Sequence, residues 1–95
     1  MSALFISRVT IKDPAKFQEY LQKSKDLASQ YGAELLASGR DPRALAGETI
    51  KHQLAVVVRF PTVEDLNAWH DSPAYQALVP LRLESSEQEM TVYQS

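Results

Sequence analysis

The alternation of apolar and polar positions divides the chain into short strands and amphipathic helices. Ala3 to Ile11 is rich in strand formers and apolar on both alternating sets, with Leu4 and Ile6 on one side and Phe5, Val9 and Ile11 on the other. Asp13-Pro14 then starts a helix: the carboxylate accepts an orphan amide at the N-cap, and proline at the first helical position lacks the amide it would waste there. Phe17, Tyr20, Leu21, Leu27, Ala28 and Tyr31 fall on one helical stripe, and Gly32 supplies the left-handed C′ position that ends it. Ala33 to Ser38 predicts a second strand. Gly39-Arg40-Asp41-Pro42 interrupts it, so any continuation through Arg43 to Leu45 is expected to be bent or bulged at a sheet edge. Gly47 to Thr49 reads as a turn.

Gln53 to Phe60 predicts a third strand whose centre, Leu54-Ala55-Val56-Val57-Val58, is apolar without alternation, as in strands buried on both faces. Thr62-Val63-Glu64-Asp65 is a capping box with Asp in the usual Glu place, and it opens a second helix carrying Leu66 and Trp69. Asp71-Ser72-Pro73 repeats the cap-plus-proline signal, so this helix should break and restart. Ala74, Ala77, Leu78 and Leu81 form the next stripe, with Pro80 kinking or shortening it. Glu89 to Tyr93 is the last predicted strand. The order is β-α-β-β-α-β, an α+β, ferredoxin-like arrangement: a four-stranded antiparallel sheet with helices on one face. Two helices cover only one face, yet the first and third strands carry apolar residues towards both. An uncovered second face would be a large wet apolar patch, and a second copy packed sheet to sheet removes it, so a homodimer is expected.

Ninety-five residues make a single domain, residues 1–95, and 44% hydrophobic with 23% charged residues is ordinary for a globular chain. Ten basic and twelve acidic residues give a net charge of −2 without a basic stripe, which argues against a nucleic-acid partner. No apolar run is long enough for a membrane span. Zero cysteines exclude a disulfide framework, a thiolate metal site and a cysteine nucleophile. The start, MSALFISRV, lacks the regions of a signal peptide, and a cytoplasmic location is expected.

Val9-Thr10-Ile11-Lys12-Asp13-Pro14, Phe17, Tyr20 and Tyr31-Gly32-Ala33 resemble the front half of a small bacterial family. Phe60-Pro61-Thr62, Trp69-His70-Asp71-Ser72-Pro73, Tyr75-Gln76 and Leu81-Arg82 resemble its back half. It is number thirteen-thirty among the domains of unknown function, within the dimeric α+β barrel superfamily. The resemblance implies a ferredoxin-like fold, a barrel formed by two chains, and no established reaction. The family's usual Arg-Gly-Gly after the second strand is Ser38-Gly39-Arg40 here, and Ala46 replaces a frequent glutamate. Its acidic residue before Phe-Pro is Arg59. A hairpin turning about Glu48 and Thr49 would set Ser38 opposite Arg59, replacing an Arg–Glu pair worth about 0.2–1 kcal/mol. Trp69 and Tyr75 are also similar in spacing to a pair in cofactor-free monooxygenases of antibiotic biosynthesis. Those enzymes carry an asparagine one turn before the tryptophan, where this chain has Asp65.

The candidate chemistry is sparse. Trp69 and Tyr75 either wall an aromatic pocket, orienting a flat ligand by their polar tips, or pack as core; Tyr20 and Phe17 face the same choice. His70 is the best acid–base candidate by residue type but can equally be a surface histidine at a helix end. Arg82 suits a helix C-terminus as well as an anion. Arg59, in an otherwise apolar strand, wants a carboxylate, supplied by a ligand or by the protein surface. His52 and His70 lack metal-ligand spacing, and no nucleotide cradle is present, so no metal and no cofactor are expected. The expected function is binding of a small flat acidic or carbonyl-bearing molecule, with cofactor-independent catalysis as the enzymatic form of that reading. The alternatives are a non-catalytic dimeric structural or interaction module and haem binding through His70. The expected rim is Tyr20, Arg59, Trp69, His70, Tyr75 and Arg82.

Overall fold

A computed structural model describes residues 2–47 and 51–95. Strand β1 (Ala3–Ile11) leads into helix α1 (Pro14–Ser29), then β2 (Glu34–Arg40) and β3 (Leu54–Phe60). Helices α2 (Val63–Asp71), α3 (Pro73–Gln76) and α4 (Val79–Ser85) precede β4 (Ser86–Gln94). The four strands form one antiparallel sheet in the order β2-β3-β1-β4, with the ferredoxin-like topology that the apolar pattern predicts.

Capping fixes the helices where the sequence places them. Asp13 accepts the Lys16 amide at 3.1 Å, Thr62 that of Asp65 at 3.0 Å, and Ser72 that of Tyr75 at 3.1 Å. Gly32, at φ 80°, closes α1. Its amide donates to Ser29 O at 3.2 Å and the Ala33 amide to Ala28 O at 3.3 Å, the paired bonds of a Schellman ending. The second helical region breaks at Ser72, whose ψ of 145° is extended. Pro80 falls in the first turn of α4, where a missing amide costs nothing, so it starts this helix instead of kinking it.

The strands differ from expectation at their ends. β2 runs through Gly39 and Arg40, and its irregularity lies earlier, between Leu35 and Ala37; Asp41, at φ 55°, ends it. The predicted turn at 47–49 lies largely outside the described residues. β4 begins three residues earlier than predicted, because the ladder with β1 extends from Ser86 opposite Ile11 to Gln94 opposite Ala3. Its first residues, Ser86-Glu87-Gln88, carry no strand pattern of their own; the partner strand supplies it.

Register assigns the faces, since residues opposite each other in a sheet share a side. Phe5 lies opposite Val58, Ser7 opposite Val56 and Val9 opposite Leu54, and these face the helices. Leu4, Ile6, Arg8, Ala55, Val57 and Arg59 belong to the other face, with Thr91 and Tyr93 from β4. The core is therefore one-sided: Phe5, Val9, Phe17, Phe60, Leu66 and Trp69 are buried between sheet and helices. On the open face Leu4, Ile6, Ala55 and Val57 remain only partly covered, and Tyr93 is exposed. In the isolated chain, β3 thus has helices over one face alone.

Gly32 carries a second constraint. A Cβ there would lie 2.7 Å from Pro61 Cγ, in a backbone conformation that already disfavours L side chains. Gly32→Ala should lower the unfolding free energy by about 1–3 kcal/mol in urea titrations. Gly39→Ala, which meets nothing within 4 Å, should change it by no more than about 0.5 kcal/mol. Equal losses at the two positions would refute the close-approach account.

Candidate functional site

Between α1 and the helix-facing side of the sheet lies a cavity of about 600 Å³. Its floor is the inward set of the sheet, Phe5, Val9, Leu54, Val56, Val58 and Phe60. Its roof is the α1 stripe of Phe17, Tyr20, Leu21 and Ala28, and Trp69 of α2 closes one end. Lys25 and Ser29 of α1 and Leu35, Ser38 and Arg40 of β2, all exposed, form the mouth along the sheet edge. The space has a clear origin. The alternation of β1 and β3 sends large side chains under α1, while β2 contributes only Leu35, Ser38 and Arg40 to this side, too little to fill it.

Trp69 is held by aromatic contacts on several sides. Phe5 meets it edge-on at 5.4 Å between ring centroids, Phe60 lies 5.4 Å away and Tyr75 4.6 Å away. Its ring is 4% exposed, and its indole Nε1 has no hydrogen-bond partner in the protein. An unpaired buried donor costs about 1–3 kcal/mol, a cost that an acceptor in the cavity would remove.

Behind this wall lies a chain of polar groups. Arg82 Nη1 donates to the Tyr75 hydroxyl at 2.9 Å, and the Tyr75 and Tyr20 hydroxyls lie 2.8 Å apart. Donor counting fixes the direction. Arginine only donates, so the Tyr75 oxygen accepts from it, and the fully buried Tyr75 proton finds its acceptor only in Tyr20. The Tyr20 proton then has no acceptor within this chain of three groups. Burial holds the Tyr20 phenol well above its ordinary value of 10.0, with the neighbouring Tyr75 adding to the shift, so it stays a neutral donor.

The expected rim divides on this geometry. Tyr20 and Trp69 line the cavity. Tyr75 is wholly buried behind them, and Arg82 lies with its guanidinium carbon 5.9 Å from the Tyr75 ring centre. His70 faces the Tyr75 ring at 5.0 Å and sits 3.6 Å from Asp71, partly in solvent, outside the cavity lining. Arg59 requires a correction. It lies opposite Leu4 on the open face, where its guanidinium meets Glu34 at 2.8 Å, because the β1–β3 register turns it away from the helices. The Ser38–Arg59 opposition is likewise corrected: Ser38 pairs with Val56, and Glu34 restores the arginine–carboxylate pair across the strands. That pair is half exposed and contributes at most about 1 kcal/mol.

Several lining residues had only a faint signal in the sequence. Ser7 stands between Phe5 and Val9 on the inward side of β1, and Ser24 interrupts the α1 stripe; both are buried. A hydroxyl at a core position was the sign of a space beside it. Lys25 and Arg40 gave no sign, since they look like ordinary surface charges. His52 lies elsewhere, its Nδ1 2.8 Å from the Thr10 hydroxyl and its Nε2 3.4 Å from Glu89 without hydrogen-bond geometry. Among the described residues no group of three metal-ligating side chains occurs.

The phenol shift has a definite consequence at high pH. Below about pH 10 Tyr20 is protonated whether the chain is folded or not. Above it the unfolded phenol releases its proton while the folded one keeps it, so stability falls as pH rises. Denaturant titrations at pH 9, 10 and 11 should show this loss, and Tyr20→Phe should reduce its slope. Tyr75→Phe, which leaves Arg82 Nη1 only the weak acceptor Met90 Sδ, should cost about 1–3 kcal/mol at neutral pH. An unchanged alkaline slope in Tyr20→Phe would count against the burial of this phenol.

Comparison with known proteins agrees with this architecture. The chain is similar to RPA0582 of Rhodopseudomonas palustris, a protein of unknown function: TM-score 0.83 and 13% identity, covering 99% of this chain and 82% of that one. It is also similar to SnoaB of Streptomyces nogalater, a cofactor-independent oxygenase: TM-score 0.68 and 14% identity, with 99% and 92% covered. A dimeric ferredoxin-like protein of unknown function from Jannaschia sp. CCS1 aligns over the full length of both chains, with TM-score 0.72 and 12% identity. At these identities the likeness concerns the fold. No curated protein matches the sequence. The family described as a domain of unknown function, DUF1330, matches residues 2–95, and with the ferredoxin-like sheet already in place the chain belongs to that family.

Proposed function

We propose that the protein is a homodimer that binds a small flat molecule, acidic or carbonyl-bearing, in the cavity between α1 and the sheet of each protomer. The observation that carries this reading is an aromatic-walled space of about 600 Å³ next to a buried, unpartnered indole N–H. The volume lies within the range of small-molecule sites, and a largely apolar lining with few polar groups is their usual composition. A filled core would have left neither the volume nor the orphan donor. No helix among the described residues is long and apolar enough to cross a membrane.

Dimerisation rests on the open face. Leu4, Ile6, Ala55 and Val57 form an apolar centre, and the Arg8–Glu89 and Arg59–Glu34 pairs stand around it. A second copy meeting this face would bury it, and the Jannaschia protein of like fold is dimeric. Val57, not Val56, belongs to this contact, since Val56 lines the cavity. Catalysis without a cofactor is a natural extension, because a neutral Tyr20 and the Trp69 N–H would stabilise negative charge developing on a bound carbonyl. SnoaB is a cofactor-independent oxygenase on the same fold.

Two measurements check this reading. Light scattering should find a dimer at low micromolar concentration and a monomeric or unfolded Val57→Lys variant, since the substitution buries a charge without a partner. A stable wild-type monomer would refute the assembly. Trp69 is the chain's one tryptophan, so its fluorescence reports the cavity directly. Flat aromatic acids or ketones should shift that emission and raise the melting temperature by mass action, since binding to the native state alone adds about 2.7 kcal/mol of stability at a hundred times Kd. A set of such compounds that leaves both signals unmoved would favour the interaction-module alternative.

A further inference from the structure

The cavity's polar groups are distributed with a direction, and that distribution narrows what it can hold. Among the described residues no aspartate or glutamate lines it, although acidic residues outnumber basic ones in the chain. The charged side chains that do line it are both cations, Lys25 and Arg40, and both are at the mouth. Arg8, Lys16, Lys23, Lys51 and Arg59 each meet a glutamate, whereas Lys25 and Arg40 meet no carboxylate among the described residues. At the other end stands the Trp69 indole, a donor only, 4% exposed and without an acceptor.

Between these ends the Ser7 and Ser24 hydroxyls are already committed, which leaves the Tyr20 phenol as the one further donor among the described residues. Ser7 donates to Gln88 Oε1 at 2.9 Å, and Ser24 to the Leu21 carbonyl at 3.3 Å. The intervening walls, Val56 and Val58 below and Phe17 and Ala28 above, suit the faces of flat rings. The sheet supplies the scale. Arg40 lies opposite Leu54, while Trp69 packs on Phe60 and on Phe5, which lies opposite Val58. Those levels are four to six residues apart along β3, about 13–20 Å at the rise of an extended strand. After the inward reach of an arginine side chain, that span exceeds a single ring.

We propose that the cavity takes an extended aryl carboxylate, its acid held at the mouth by Lys25 and Arg40 and a second, hydrogen-bond-accepting oxygen held at the far end by the Trp69 indole N–H. The inference rests on the cavity being the binding site, and adds to it the charge, length and orientation of the ligand. A guanidinium and an ammonium at the entrance draw in an anion and pair with its oxygens. The inner end rewards a carbonyl and penalises a donor, because the indole can only donate. A ligand lacking either group leaves one end of the cavity unmatched.

The probe is 6-acetyl-2-naphthoate, with its methyl ester removing the charge and 2-naphthoate removing the ketone. Calorimetry gives the affinities, and the lone indole N–H resonance of ¹⁵N-labelled protein reports on Trp69. The keto acid should bind at least about tenfold more tightly than the ester and should move the indole proton downfield. Arg40→Gln and Lys25→Gln, both at exposed positions, should weaken the keto acid several-fold and leave the ester unchanged, with unaltered thermal melts. With 2-naphthoate the downfield movement should be missing. Equal affinity for acid and ester, or keto-acid binding indifferent to Arg40 and Lys25, overturns the proposed polarity while leaving the cavity as a binding site. An equal indole shift with and without the ketone overturns the inner contact. If none of the three compounds binds, the cavity reading falls and takes this inference with it.

Discussion

Tyr75 lies wholly buried on the one-turn helix α3, and its hydroxyl is where Arg82 from α4 and Tyr20 from α1 meet. Its ring packs 4.6 Å from Trp69 and 5.0 Å from His70, both on α2. One side chain therefore connects every helix. The interruption at Ser72 and Pro73 makes this possible, because a continuous helix could not send Trp69 and Tyr75 towards the same interior. The Ser85 carbonyl adds a second tie, accepting the Lys12 and Asp13 amides at 2.8 and 3.1 Å, so that α4 holds the entrance to α1. With α1 secured against its neighbours, it need not collapse onto the sheet, and the cavity survives beneath it.

The sheet imposes the complementary constraint. β1 lies between β3 and β4 and is apolar on both faces, but the connections α1 and α2–α4 cover the same side. The covered side becomes core and cavity; the open side keeps Leu4, Ile6 and Val57 beside paired charges. The open face and the cavity thus lie on opposite sides of one sheet, so either can be perturbed alone: Val57 reaches one, Val56 the other.

An acidic net charge does not by itself oppose the anion proposed for the cavity. Net charge is a property of the whole surface, whereas recognition depends on which side chains line the space. Glu34 and Glu89 on the open face and Glu19 and Glu84 on the helix surfaces each pair with a neighbouring cation. Lys25 and Arg40 stand instead where β2 presents little bulk. The sequence singled out Arg59 and Arg82 as the notable arginines; the fold gives Arg59 to Glu34 and Arg82 to Tyr75.

The sequence by itself determined the elements and their order. Asp13-Pro14, Thr62 with Asp65, and Ser72-Pro73 each act within a few residues, and alternation in β1 separates Phe5 and Val9 from Leu4 and Ile6 wherever the strand ends up. The two-sided apolar pattern of β1 and β3 was legible for the same reason, whereas the stripes of Tyr20 and Trp69 left open whether they wall a space or fill a core. Register was not legible, because it is set by pairing between strands far apart in the chain. A shift of a single residue would have turned Arg59 inward and Val56 outward. The length of β4, the removal of Arg59 to the open face and the meeting of Tyr75 with Arg82 were likewise decided by partners that no local spacing encodes. The cavity is the clearest case: its walls are ordinary apolar positions, and the space between them exists only because the tertiary structure holds α1 away from β2.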